Sequence, residues 1–214
     1  MRSSFQHISA ISFRVLHRGS AIMLALFLLI HLGNHFAGLG GQDTHIMFME
    51  VVRRLYRNAL VEPILIALIL FQLGTGLTMA IRGWRARSGF VAWLQAVSGL
   101  YLAAFLIIHT ASVLLGRYSM HLDTNFNFAA AGFHVSGWPW YFVPYYFLAV
   151  ASLFVHIGCA LYWTLVGGQP IVARWLLGGL TIAGIMSGGL FVLMLSGYLY
   201  RVVIPLKYLA TYAQ

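Results

Sequence analysis

Five long apolar runs constrain this chain more than any other feature. They cover roughly residues 16–37, 60–81, 91–116, 140–166 and 175–200, and each meets the ~20 apolar residues a helix needs to cross a bilayer. Stretches rich in turn-formers or charge separate them, at Gly38–Asn58, Arg82–Gly89, Arg117–Pro139 and Gly167–Arg174. Pro63, just after Glu62, suits the first turn of the second helix. The first run is too long for a signal-peptide core alone, and no small-x-small cleavage site follows it cleanly. The expected architecture is therefore all-α: one integral membrane domain over residues 1–214, a bundle of five transmembrane helices.

Composition agrees. Hydrophobic residues make up 61% of the 214 positions and charged residues only 8%, against about a quarter charged in soluble domains. A soluble enzyme, a disordered chain and a repeat scaffold are excluded. The net charge is +9, but the basic residues are scattered between apolar runs and form no stripe for phosphates, so no nucleic-acid partner is expected. The single Cys159 excludes an internal disulfide, a four-cysteine zinc site and a protein-ligated iron–sulfur cluster; it reads as packing.

The loops set the expected orientation. One side carries Arg2, Arg14, Arg18, Arg82, Arg85, Arg87 and Arg174; the other carries Arg53, Arg54, Arg57, Arg117, Arg201 and Lys207. All four acids (Asp43, Glu50, Glu62 and Asp123) fall on the second side. This places the N-terminus inside and the C-terminus outside an inner, cytoplasmic-type membrane. Membrane lipid is the first partner. The aromatic run Trp138–Phe142 with Tyr145 and Tyr146 reads as an interfacial belt. Gly184 and Gly188 form a G-xxx-G pair, read either as close helix packing or as a groove for a flat ligand or a neighbouring subunit.

Nine histidines against four acids are the chemical signal, because a polar ring inside a bilayer is costly and marks a site. A weak repeat organises them. Phe27-Leu-Leu-Ile-His31 in the first run matches Phe105-Leu-Ile-Ile-His109 in the third; Gln72-Leu-Gly-Thr-Gly-Leu77 in the second matches His156-Ile-Gly-Cys-Ala-Leu161 in the fourth. His31 and His109 thus share a depth, ~10 Å from the outer boundary, and Gln72 and His156 share another, ~14 Å from the inner one. Two facing neutral imidazoles cannot satisfy one another fully. A heme between them resolves this, each ring giving one nitrogen to iron while the other nitrogen is held by an acceptor. Thr110 and Ser112 are candidates to hold His109. The alternative is a pair of structural histidines bonded to carbonyls or water.

Other positions leave choices open. His156 can bond Gln72, contact a heme propionate or a quinone, or ligate iron with an unidentified partner. His35, one turn beyond His31, suits a propionate or quinone contact, or replaces His31 as ligand. His17 with Arg14 and Arg18 forms a cationic rim for a propionate or lipid phosphate, or a snorkelling charge cluster. Ser20 can bond a quinone carbonyl. In the outer loop, His121-x-Asp123 has a metal-like spacing, but a metal site would have to recruit His134 and His45.

Five helices, the Arg14-Val15-Leu16-His17 entry, His31 late in the first helix, and His109 and His156 in the third and fourth resemble the five-helix, single-chain, two-heme cytochrome b anchor of succinate:quinone oxidoreductases and fumarate reductases. The resemblance implies a b-type cytochrome carrying electrons between a partner and membrane quinone, with flavoprotein and iron–sulfur subunits as partners. It implies heme among the first four helices: an outer heme on His31 and His109, and an inner level where Gln72 stands opposite His156. Because glutamine is a poor iron ligand, one heme b is expected, with two possible. A non-catalytic accessory subunit with structural heme is the alternative, and a small transporter the third reading.

Overall fold

The computed structural model describes residues 2–212, with side chains from residue 13 onward. Five helices are long and apolar enough to span a bilayer: Phe13–Gly40, Val61–Arg82, Phe90–Tyr118, Pro139–Leu165 and Pro170–Leu195. They belong to α1 (Arg2–Ala37), α3 (Val61–Arg82), α4 (Phe90–Tyr118), α6 (Pro139–Leu165) and α7 (Pro170–Leu195), with α2 (Gln42–Tyr56), α5 (Phe126–Ala130) and α8 (Leu206–Leu209) between and after them. No strand occurs among the described residues. Their outer faces are apolar and bare: Ile22, Leu26 and Leu29 are 74%, 68% and 68% exposed along one stripe of α1. Such a stripe at helical spacing is tolerable only in lipid.

Local chemistry sets the ends. Asn58 accepts hydrogen bonds from the backbone N–H of Leu60 (3.1 Å) and Val61 (3.0 Å) and so caps α3. Pro139 and Pro170 sit in the first turns of α6 and α7, where a missing N–H costs nothing. α7 stops at Leu195, five residues short of the hydropathy estimate. Gly197 adopts φ +78°, with Tyr198 N–H bonding Leu193 O (2.9 Å) and Gly197 N–H bonding Met194 O (3.1 Å). This paired closure by a left-handed glycine ends a helix whatever the hydropathy beyond it.

Packing is uneven. α6 and α7 form the longest seam; α4 packs on α6, and α1 on α3. α3 and α4 meet over a shorter stretch, and neither α1 with α4 nor α1 with α6 forms a packed seam. The bundle is therefore two units, α1/α3 and α4/α6/α7. On α7 the G-xxx-G pair is a packing device. A Cβ at Gly184 would lie 2.6 Å from Phe154 Cβ, and one at Gly188 would lie 2.9 Å from Phe147 O. Cys159 is fully buried.

Two stretches read as connecting loops are instead a folded cap on the side opposite the N-terminus. Residues 42–56, expected to be irregular, form α2. Its Gln42 bonds Asn127 (2.7 Å) and both backbone groups of Val203. Arg53 grips Asp123 through two bonds, 2.8 and 3.1 Å. Phe126, Ala130, Phe133, Met194 and Leu195 form the cap's buried core. The correction has a plain cause: α2 is only 15 residues long and carries Asp43, Glu50, Arg53 and Arg54, so it is too short and too polar to register as a span.

Candidate functional site: two histidine levels

On the cap side, His31 and His35 of α1, His45 of α2 and His109 of α4 gather. The His31 and His109 ring centres are 6.0 Å apart, bridging the two helix units. His35 lies 4.9 Å from His31 and 5.4 Å from His45. The sequence repeat has a shared local geometry. Phe27 stacks on His31 (5.6 Å, 21°) and Phe105 on His109 (5.1 Å, 14°), because residues four apart meet on one helix face.

The hydrogen bonds of the described histidines belong to His17, His45, His134 and His156. His31, His35 and His109 make none among the described residues, so the support expected from Thr110 or Ser112 is not formed. His45 bonds the Asn34 amide at 3.1 Å. His35 Nδ1, His45 Nδ1 and Asn34 Oδ1 are buried without partners. Burial, and behind it the nearby His31, push the His45 imidazole down to about 4.

No group of three or more potential ligands capable of holding a bare metal ion occurs among the described residues. A heme asks for less, since its porphyrin supplies four nitrogens and the protein two. Two metal–imidazole bonds of about 2 Å, plus roughly 1 Å from each nitrogen to its ring centre, put opposed ring centres about 6 Å apart. The 6.0 Å between the His31 and His109 ring centres is of that size, and neither ring has a hydrogen-bond partner among the described residues. The loop pair does not form a metal site: Asp123 is taken by Arg53 and, at 3.6 Å, by Arg57, and His134 Nε2 is bonded to Leu195 O.

On the N-terminal side the pairing differs from the one the repeat suggests. Gln72 faces His17 of α1: its amide lies 3.1 Å from His17 Nε2, and its carbonyl accepts a bond from Ser20. His17 Nδ1 lies 3.0 Å from Thr75 Oγ1. His156 Nδ1 instead donates to Gln95 O (3.1 Å) with Ser98 Oγ at 3.3 Å. The repeat aligned depth, and depth does not fix which way a helix is turned. Arg14 and Arg18 are exposed and form no hydrogen bond with the cluster among the described residues. Thr75, Gln95, Ser98 and Asn34 were missed. Each is a polar residue inside an apolar run, the same signal that exposed the histidines.

A cleft of about 570 Å³ is lined by Arg57, Glu62 and Leu114 and by none of these histidines. Its walls come from α3 and α4, and its Glu62 pairs with Arg117. Comparison of the chain with family profiles, curated protein sequences and solved structures gives no match.

Proposed function

We propose that this integral membrane protein is a b-type cytochrome that passes electrons between a partner redox subunit and membrane quinone, like the succinate:quinone oxidoreductase and fumarate reductase anchors its sequence resembles. His31 and His109 would hold the heme iron. The observation that carries the reading is this pair: two imidazoles from separate helix units, 6.0 Å between centres, each backed by a phenylalanine and without a hydrogen bond among the described residues. A heme bound there would supply one-electron iron chemistry, with the two imidazoles and the burial of the site setting its potential.

The rest of the chain orients and excludes water. Phe27 and Phe105 hold the two rings from below. The cap closes over His35 and His45, whose free ring nitrogens suit the propionate side. Ser20, Gln72 and His17 offer hydrogen-bond groups to a quinone carbonyl at the other level. A flavoprotein and iron–sulfur partner would dock on the N-terminal side, whose charged loop residues are all basic.

The test is a dithionite-reduced minus oxidised spectrum of the purified chain, with a heme-to-protein ratio. A sharp low-spin b-type spectrum is expected, and one shared component should vanish in both His31→Ala and His109→Ala while the protein still inserts. A wild-type chain without heme refutes the reading and leaves an accessory or transport role.

A further inference from the structure

We propose that the cleft between α3 and α4 binds one anionic phospholipid, with its phosphate on Arg57 and an acyl chain along α3. The site rests on the membrane spans and not on the cytochrome reading.

The cleft is graded from polar to apolar along the bundle. Arg57, Asn58, Glu62 and Tyr118 line it where α3 begins and α4 ends. Pro63, Ala67, Leu70 and Leu114 line it further in. From Glu62 to Leu70, α3 climbs ~12 Å, from the polar edge of the span into its apolar interior. Pro63, Ala67 and Leu70 are exposed and stand at i, i+4 and i+7, on one stripe of the helix. On a spanning helix such a stripe meets lipid tails and not water. The volume of about 570 Å³ is that of a ligand site, within the ~300–1,000 Å³ usual for one. A polar mouth above an apolar floor fits a molecule with a head and a tail.

Charge at the mouth selects the head. Both terminal nitrogens of Arg117 donate to Glu62, and Asp123 accepts two bonds from Arg53. Arg57 comes no closer to Asp123 than 3.6 Å and its side chain is 33% exposed. Its guanidinium makes no hydrogen bond among the described residues. The cation lining the cleft therefore has donors to give, and the guanidinium fork matches two oxygens of a phosphate. The carboxylates near the mouth offer nothing comparable to a cation. Glu62 and Asp123 are both engaged, so neither is free to receive the ammonium of a choline or ethanolamine head. A head whose only charge is its phosphate, such as that of phosphatidylglycerol, suits this mouth.

Position gives the lipid a role. The α1/α3 and α4/α6/α7 units meet through α3 and α4 over only a short stretch, and the cleft lies along that seam. A chain seated between Leu70 of α3 and Leu114 of α4 fills the gap. It thereby braces the two units that supply His31 and His109.

Native mass spectrometry of the full chain tests this, in mixed micelles holding phosphatidylglycerol and phosphatidylcholine of the same acyl chains at equal concentration. One phosphatidylglycerol per chain is expected to survive stepwise delipidation. Arg57→Gln should cut the preference for phosphatidylglycerol by at least about tenfold, the loss of a charge-assisted hydrogen bond. Ala67→Trp, at an exposed position in the apolar half of the cleft, should remove the bound lipid whatever its head. Leu26→Trp, on the exposed stripe of α1, should leave it bound. Phosphatidylglycerol should also raise the unfolding temperature of the delipidated wild type but not of Ala67→Trp, and inorganic phosphate at the same concentration should raise neither. Equal retention of the two lipids overturns the anionic head, and retention that survives Ala67→Trp overturns the site. Protection by inorganic phosphate overturns the lipid as ligand, and so does a phosphate-free isoprenoid retained in its place.

Discussion

Two adjacent glycines on α7 should respond in opposite ways to the same methyl group. At Gly188 an added Cβ would sit 2.9 Å from the Phe147 carbonyl oxygen and 3.3 Å from Phe147 Cδ2, where ordinary contact is about 3.5–4 Å. The oxygen belongs to the α6 backbone and cannot rotate away, so the helices must part. At Gly189 nothing lies within 4 Å of the same position. The gain in helix propensity from glycine to alanine, up to about 1 kcal/mol, is common to both sites and cancels in their difference. Overpacking alone separates them, by about 1–3 kcal/mol. Gly188→Ala should therefore be less stable than Gly189→Ala by that margin in reversible unfolding in mixed micelles. Gly189→Ala should match or exceed the wild type. Equal stability of the two variants would refute the α6–α7 seam as described, and with it the support that α7 gives to the helix carrying His156.

The cap should be acid-sensitive. His45 is 3% exposed and held at about 4, so it stays neutral while the unfolded chain protonates near 6.5. Stability from this residue is intact above pH 6.5 and declines as pH falls toward 4, by up to about 3 kcal/mol. His45→Gln should flatten that slope in a pH series of unfolding curves. Phe126→Ala, at a side chain with no exposure, should cost about 3–5 kcal/mol. The loss should show as faster hydrogen exchange in α2 and α5 with the span amides still protected; uniform exchange would contradict a separate cap core. Reporter fusions should place the N-terminus and the Arg82–Gly89 loop inside, and the Arg117–Pro139 loop and C-terminus outside. An inside C-terminus would break the five-span topology or its orientation.

Hydropathy alone determined the five spans, because transfer into lipid is close to a sum over residues and needs no knowledge of neighbours. The same logic exposed His31, His109 and His156 as costly residues, and the Phe-x-x-x-His repeat fixed a ring stack that depends only on one helix's own pitch. What tertiary structure decided was rotation and partnership. Each residue turns a helix by about 100°, so two residues at one depth, such as Gln72 and His156, need not face one another. Gln72 turns to His17, and His156 turns to Ser98 and Gln95. The cap was likewise invisible, since α2, the Asp123 loop and the tail at Val203 are far apart in sequence. Each is too short or too polar to stand out alone, and they acquire a core only when Phe126 and Leu195 close on one another.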